Sequence, residues 1–189
     1  MQRNLYDPQP LNSSFLSCEK DTAIILDKLF RSCQHSEDLV KLLVIQNKDA
    51  LDGNYDIKKY DVKYLIDNDY INMKPIIKLP EHDQVKSFLS IHFDNFTPNT
   101  TNPEYRDCMI HFDVVCHHDH WDLGNFRQRP FKILGVIDGI LNKSRLTGIG
   151  KIHFVGCSKV LLNEDWSAFA LSYMAIHGSD DKIPLKDEE

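Results

Sequence analysis

Apolar residues in the first third of the chain recur every three or four positions, as in amphipathic helices. In residues 21–33, Ile24, Ile25 and Leu29 fall on one face of a helix. A second apolar pattern follows Ser36, whose side chain suits a helix N-cap, and two acidic residues come next, where the helix dipole favours anions. The pattern therefore predicts two helices at the front of the chain.

The next segment, residues 47–74, is polar and has no clear period. It predicts a long connection with one short helix, over Val62 to Asp67. Residues 1–16 carry prolines and no periodicity, which indicates an N-terminal arm, and residues 179–189 form a charged C-terminal tail. We therefore expect a single domain over residues 17–178.

The pattern then changes to a period of two. Residues 86–93 predict a strand, residues 95–107 predict a loop rich in turn formers, and residues 108–117 predict a second strand. In this second strand His111, Asp113 and His117 share one face, and the apolar face is formed by Cys108, Ile110, Phe112, Val114 and Cys116. A strand with one face on a core and one in water has this pattern.

A central helix is predicted to begin at Pro130, because proline is favoured in the first helical turn. Its apolar stripe is expected to consist of Phe131, Leu134, Ile137 and Leu141. Gly135 and Gly139 destabilise an isolated helix, so we expect them to pack closely against a neighbour. Two closing strands follow, one with a break near Gly156. The fold class is therefore α+β: a mainly antiparallel sheet packed with a central helix, plus N-terminal helices.

Composition narrows the choice of function. A 189-residue chain with 42% hydrophobic and 26% charged residues is typical of one globular domain. Its net charge of −6 argues against a protein that wraps nucleic acid, although DNA can slide past such a surface. Five cysteines without a C-x-x-C motif indicate a reducing cytoplasm. Without a signal pattern or a long apolar run, the chain is expected to be soluble and not secreted.

The sequence HHDH, residues 117–120, is the most conspicuous chemical motif. A zinc site needs three or four ligands around a tetrahedron, and adjacent strand residues face opposite ways. His118 and His120 can face the same way, but no spacing singles out His111, His153 or Cys157 as a further ligand. The motif therefore favours solvated histidines at a strand end, or at a subunit contact, over a metal site.

Enzyme alternatives are weaker. The order Asp119-His120, Asn142, His153 loosely imitates a His–Asn–His nuclease, but Asn142 ends an apolar helix and the chain is acidic. There is no nucleophile elbow, and the GIGK sequence at residues 148–151 lacks phosphate-loop spacing. We therefore expect no catalytic residue, no metal and no cofactor.

Residue types favoured at protein interfaces cluster after the histidines. They predict a subunit interface formed by Trp121, Phe126, Arg127 and Arg129. For the two arginines we expect an acidic partner, including one on a neighbouring subunit. The alternative for Trp121 and Trp166 is that both cap the core.

The order of these elements resembles the tail terminator (tail completion, or neck) proteins of tailed bacteriophages. A front helix precedes a strand ending in FDV, a polar loop with a tryptophan leads to RP and a helix of the form I…ID…L, and two strands close the chain. The resemblance covers residues 21–177, while residues 47–74 and the two tails depart from the family pattern.

The resemblance implies a homo-oligomeric ring, typically a hexamer, in the virion neck. Such a ring is assembled in the host bacterial cytoplasm, caps the tail tube and joins it to the head-side connector. DNA is expected to pass through its lumen without specific binding, and no membrane partner is implied. Two alternatives stay open: another head–tail connector or adaptor component, or a metal-dependent nuclease or hydrolase that uses His117–His120.

Overall fold

A computed structural model describes residues 18–31, 34–74, 79–80, 84–100, 106–146 and 149–177. The predicted arm and charged tail lie outside these residues. The helices are α1 (Cys18–Arg31), α2 (Gln34–Val44), α3 (Val62–Asp67) and α4 (Arg129–Leu141), with a 3₁₀ turn at His118–His120. The strands are β1 (Ile71–Asn72), β2 (Ser87–Pro98), β3 (Arg106–His117), β4 (Asp122–Leu123), β5 (Arg127–Gln128), β6 (Arg145–Leu146), β7 (Gly150–Lys151), β8 (His153–Leu161) and β9 (Trp166–His177).

Five strands form the main sheet in the order β1-β2-β3-β9-β8, and two small hairpins, β4–β5 and β6–β7, lie outside it. All neighbours in the main sheet are antiparallel except β1 and β2, which are parallel. The central strand β3 pairs with β9 along its whole length, from Arg106 opposite His177 to His117 opposite Trp166. The predicted α+β class with a mainly antiparallel sheet is therefore confirmed.

Helices α1, α2 and α4 pack together against one face of this sheet. The predicted apolar face of β3 forms the centre of the core, since Cys108, Ile110, Phe112, Val114 and Cys116 are at most 1% exposed. Within the described residues, no helix is both long and apolar enough to cross a membrane.

The opposite face of the sheet is less exposed than the alternation predicts. His111 and Asp113 are half-buried there, and His117 is buried. At the end near His117 a second, smaller apolar cluster forms around Phe88, Val115, Trp166 and Ala168. Trp166 is 1% exposed in this cluster and lies against the Phe88 ring, so the alternative in which it caps a core is confirmed.

The stripe predicted for α4 is wrong at its N-terminal half. Phe131 is 54% exposed, whereas Ile133, Ile137 and Leu141 are buried with Pro130. A stripe begun at Pro130 keeps the 3.6-residue period, whereas Phe131 lies beside that stripe, with the centroid of its ring 5.1 Å from that of Phe169 on β9. The helix itself begins at Arg129, with the proline in its first turn.

The two glycines of α4 do not pack closely against the described part of the chain. Gly135 and Gly139 are exposed, and a Cβ atom added at either would meet nothing within 4 Å among the atoms of other elements. The expected close packing of these glycines against a neighbour is therefore not found among the described elements.

Smaller differences have local causes. Ser36 lies inside α2 and is buried, so it is not the N-cap that the sequence predicts. The loop predicted over residues 95–107 is shorter, because β2 continues to Pro98 through an irregularity in its pairing with β3. The segment 47–74 contains the predicted helix α3 and also β1, which was not predicted. The predicted break near Gly156 is a register shift between Phe154 and Gly156.

Candidate interaction site

The segment from His117 to Arg129 leaves β3, turns, forms the β4–β5 hairpin and enters α4. Its first residue, His117, closes the 3₁₀ turn: ring Nδ1 accepts a hydrogen bond from the backbone N–H of Asp119 at 3.1 Å. The same ring stands edge-on against Trp166, with centroids 5.0 Å apart. His117 therefore links the end of the central strand to the smaller apolar cluster.

His118 is exposed to solvent and also contacts the start of β9. Its Nε2 lies 2.9 Å from the hydroxyl oxygen of Ser167, at the start of β9. Its ring stands edge-on against Trp121, with centroids 5.7 Å apart. The prediction of a solvated histidine at the strand end fits this residue, which is exposed.

His120 contradicts that prediction, because it is 1% exposed. Its Nε2–H donates to the Ile45 carbonyl at 3.2 Å, so Nδ1 is left to accept a hydrogen bond from the Ser87 hydroxyl at 2.9 Å. This pattern requires a neutral ring. Burial, with the Arg129 guanidinium nearby, lowers the pKa of His120 to about 4.

The hydrogen bonds continue into the core. The Ser87 hydroxyl oxygen also lies 3.2 Å from the Cys116 sulfur, within hydrogen-bond distance. Burial raises the pKa of the Cys116 thiol to about 12. Ser87, Cys116 and His120 are all buried, and their contacts tie β2, β3 and the turn together.

Arg129 is fully buried and provides most of the polar contacts at this point. Its guanidinium donates at 2.7–3.4 Å to backbone carbonyls of His120, Leu42, Ile45, Gln46 and Asn47. Several of these carbonyls belong to the end of α2 and the turn after it, where the helix dipole is negative. Burial lowers the pKa of Arg129 to about 10, and the side chain stays charged at neutral pH.

The assignment of Arg129 to a subunit interface is therefore wrong, since its guanidinium lies inside the protomer. Arg127 has the predicted acidic partner, but it is Asp52 of the same chain. The hydrogen bond from Arg127 holds the pKa of the Asp52 carboxyl below its usual value. We name the cluster of Ser87, Cys116, His120 and Arg129 with the Ile45 carbonyl the polar anchor.

Above the polar anchor, residues 122–128 form a hairpin that projects from the domain. Lys48 holds its base: the ammonium lies 3.1 Å from an Asp122 oxygen, and the Lys48 carbonyl accepts from the Gly124 N–H at 2.9 Å. At the tip, Asn125 and Phe126 have φ angles of 63° and 60°. This left-handed conformation is unusual for a bulky residue.

Phe126 is 106% exposed, so its ring has no packing partner on the described surface to offset that backbone conformation. Trp121, below the hairpin, is half-buried; its Nε1–H donates to the Gln128 side chain at 3.4 Å, and its ring lies 6.2 Å from that of Phe169. Trp121 thus covers part of the core. A subunit-contact role for Trp121, Phe126 and Arg127 stays a prediction.

The residues of the nuclease-like order do not come together. Asn142 follows α4, and its side-chain oxygen accepts from the Phe154 N–H at 3.3 Å, on β8. The three histidines of the HHDH motif have separate partners, as described above. Among the residues that the structure describes, no three histidine, cysteine or acidic side chains are grouped to hold a metal ion.

Sequence reasoning did not identify Ser87, Asp52 or the Ile45 carbonyl as parts of the site. Each is separated from its partner by at least 33 residues, so no local spacing connects them. For these residues the available sequence signal was the apolar pattern of the strand that contains Ser87, which indicates that the strand is buried.

These features define an α+β domain in which a buried polar anchor supports an exposed aromatic hairpin. The chain belongs to the YomW family, whose family model matches residues 36–175. This family is phage-derived, and membership supports a phage structural protein.

No curated protein matches the chain significantly. Among solved structures, a chain from the "Virion of native gene transfer agent (GTA) particle" is 13% identical, with a TM-score of 0.40. The match covers 64% of this chain and 89% of that chain.

Proposed function

We propose that this phage structural protein acts without catalysis in the virion neck, as a tail terminator whose ring caps the tail tube and meets the head-side connector. The observation that carries the proposal is the fully exposed Phe126 on a hairpin fixed at its base. Family membership supports the virion role, and the order of elements supports the terminator role.

The conformation of Phe126 indicates recognition. A non-glycine residue in the left-handed region costs on the order of 1–3 kcal/mol and persists where the surrounding structure requires it. In the described part of the protomer, the exposed ring gains no packing that offsets this cost. Exposed aromatic residues on a pre-ordered backbone are typical anchors of protein interfaces.

The partner of Phe126 in this proposal is the last ring of the tail tube. Arg127 and Lys48 each engage a carboxylate of the same chain, so the hairpin presents an aromatic ring between neutralised charges. Such a surface suits an apolar pocket with a polar rim. The head-side connector would then contact another face of the ring.

The test is assembly of the tail-tube protein of the same phage, with and without this protein, followed by electron microscopy. We expect tubes of limited length with a ring at one end, and long tubes of variable length when the protein is omitted. Phe126→Asn removes the aromatic ring but suits the left-handed backbone, so it should fold normally and fail to limit length. Phe126→Tyr is the matched control and should retain activity.

Two other outcomes would replace this function. A ring that binds purified connector but leaves tube length unchanged would identify a connector or adaptor component. Stoichiometric metal in the purified protein, lost when His118 and His120 are both changed to alanine, would favour the hydrolase alternative. A stable monomer that affects neither tubes nor connector would reject the proposal.

A further inference from the structure

Among the described residues, β8 is the most exposed strand of the main sheet. In that part of the chain it pairs only with β9, so its other edge carries open backbone. Helices α2 and α4 lie over β2, β3 and β9, and β8 extends beyond them. An open edge strand is a template for pairing with an added strand.

The side chains of β8 that face the helix side of the sheet are mainly apolar. The register with β9 puts four exposed side chains on that side: Phe154, Cys157, Lys159 and Leu161. Phe154 and Leu161 are 48% and 74% exposed. A strand added beside β8 would cover this apolar surface and satisfy the open backbone groups together.

The charges around β8 favour an acidic partner. Residues 143–161 contain four Lys or Arg residues and no Asp or Glu. All four are exposed: Lys143, Arg145, Lys151 and Lys159. A two-fold pairing of β8 with itself would bring cations together, which destabilises a strand pair, whereas a strand with carboxylates would be attracted.

A segment with the complementary pattern follows β9 in this chain. Residues 178–189, GSDDKIPLKDEE, lie outside the described residues and contain five acidic and two basic residues. In an extended strand alternate residues share a face. One face of this segment would then carry, in order, Asp181, Ile183, Leu185 and Asp187. On the helix side of β8 the apolar pair can cover Leu161 while a carboxylate meets Lys159, because Lys159 and Leu161 share that face.

Pro184 suits a strand at the edge of a sheet. Proline has no N–H, so it is tolerated where that group would face away from the neighbouring strand. With Pro184 in this position, the N–H groups of Ile183 and Leu185 point toward β8. The missing donor on the outer side disfavours a further strand, so the addition stops at one segment.

The connectivity of the sheet favours a second copy as the source of the segment. β9 ends where the chain enters β8, since His153 lies opposite Met174. To reach the far edge of β8 in its own protomer, the segment would have to cross the connection that leads into β8. Connections on the same edge of a sheet do not cross as a rule. The segment of a second copy meets no such obstacle.

We propose that residues 181–187 of a second copy of this chain add as a strand to the open edge of β8, with Ile183 and Leu185 on the helix side. Each copy contributes one segment and receives another, and contacts between two different surfaces of the same protein generate a ring when the rotation closes. The inference rests on the proposed ring function and names its subunit contact, which is separate from the contact with the tail tube.

Disulfide trapping between two distinguishable full-length chains tests the contact. One chain carries Leu185→Cys with Cys157→Ser, and the other is a tagged chain with its natural Cys157, which is exposed. Mild oxidation of the mixture should give a mixed dimer that reductant reverses. Each chain has only one of the two thiols, so this bond forms only between copies. Ile183→Cys in place of Leu185→Cys samples a second position on the same face.

Two controls locate the cross-link. With Cys157→Ser in both chains the mixed dimer should be lost, which excludes the other cysteines. Lys186→Cys in place of Leu185→Cys puts the thiol on the opposite face of the segment and should lower the yield several-fold. Equal yields from Leu185→Cys and Lys186→Cys would contradict the assigned face.

Two outcomes would overturn the proposal. The first is the absence of a Cys157-dependent mixed dimer from either Leu185→Cys or Ile183→Cys, with tail tubes present or absent. The second is an internally linked monomer, in place of linked oligomers, from a single chain that carries Leu185→Cys and its natural Cys157. That result would assign the segment to β8 of its own protomer.

Charge reversal provides a second measurement. Lys159→Glu in the tagged chain should reduce the yield of the mixed dimer several-fold, because it removes the cation that meets the acidic segment. Lys58→Glu is the matched control, since it makes the same change of charge at an exposed residue between α2 and α3, and it should leave the yield unchanged. Equal yields from the two variants would contradict the assigned contact.

The two proposals fail separately. Limited tube length without a mixed dimer would reject this strand addition and retain the terminator function. A mixed dimer without any effect on tube length would retain the strand addition and reject the terminator function.

Discussion

The polar anchor and the hairpin lie a few residues apart in sequence but follow opposite physical rules. In the anchor, Arg129 and His120 are buried, and their polar atoms are satisfied by backbone and hydroxyl groups. In the hairpin, Arg127 makes an exposed ion pair and Phe126 faces solvent. The comparison shows that a structural arginine differs from a surface arginine in the burial of its side chain, which the residue type alone does not reveal.

The largest expected effect comes from Arg129→Met, which removes the guanidinium and leaves five backbone carbonyls without this donor. We expect a loss of about 3–5 kcal/mol in the free energy of unfolding, measured by urea denaturation. Arg127→Met is the matched control and should change this free energy little, because exposed ion pairs contribute little. Equal losses from both variants would contradict the distinction between anchor and hairpin.

The second test uses pH. His120 has a pKa of about 4 in the folded protein, against 6.5 for an ordinary histidine. As pH falls from 6.5, the unfolded chain takes up the proton first, so the folded state loses stability until about pH 4. The loss attributable to this residue is about 3 kcal/mol.

The measurement for His120 is the free energy of unfolding against pH for the wild type and for His120→Gln. The wild type should lose more stability than the variant between pH 6.5 and 4, which cancels the contribution of other titrating groups. Parallel curves would show that His120 is not a buried, neutral histidine in the folded protein.

A smaller effect of opposite sign is expected at the hairpin tip. Phe126→Asn places a residue that tolerates the left-handed region at φ 60°, so we expect a gain of about 1 kcal/mol. For a chain of this size the midpoint of thermal unfolding should rise by about 2–4 °C. A fall in the midpoint would mean that the phenylalanine ring stabilises the protomer.

The smallest effect is expected for Asp52→Asn, which breaks the exposed ion pair with Arg127. The unfolding curve at moderate salt should superimpose on that of the wild type, because solvent screens exposed pairs. Proteolysis within residues 122–128 should nevertheless become faster, since the hairpin loses a contact with the segment around Asp52. Unchanged proteolysis would show that Lys48 alone holds the hairpin.

Local patterns predicted much of the fold. The alternation in residues 108–117 identified the central strand and its apolar face, and the short helix Val62–Asp67 was predicted at its observed bounds. Both depend on spacing within a few residues. The α4 stripe was misassigned because Phe131 is apolar yet exposed, and periodicity does not distinguish a core phenylalanine from a surface one.

The candidate site was predictable only in part. The residue types at Trp121, Phe126 and Arg127 predict an interaction surface, which stays a prediction, and nothing local indicated that Arg129 would turn inward. Its partners at Leu42 and Asn47 are 87 and 82 residues away. An arginine next to a helix start has the same local sequence whether it binds solvent or distant carbonyls.

The long sequence separation between Arg129 and its hydrogen-bond partners also affects how the chain folds during synthesis. The carbonyls at the end of α2 receive their guanidinium donor only after more than eighty further residues have left the ribosome. Until then the front helices lack both the β3 surface and the side chain that fixes their end. Long-range contacts of this kind slow folding, so nascent chains should expose the apolar faces of α1 and α2 for longer than helical bundles do.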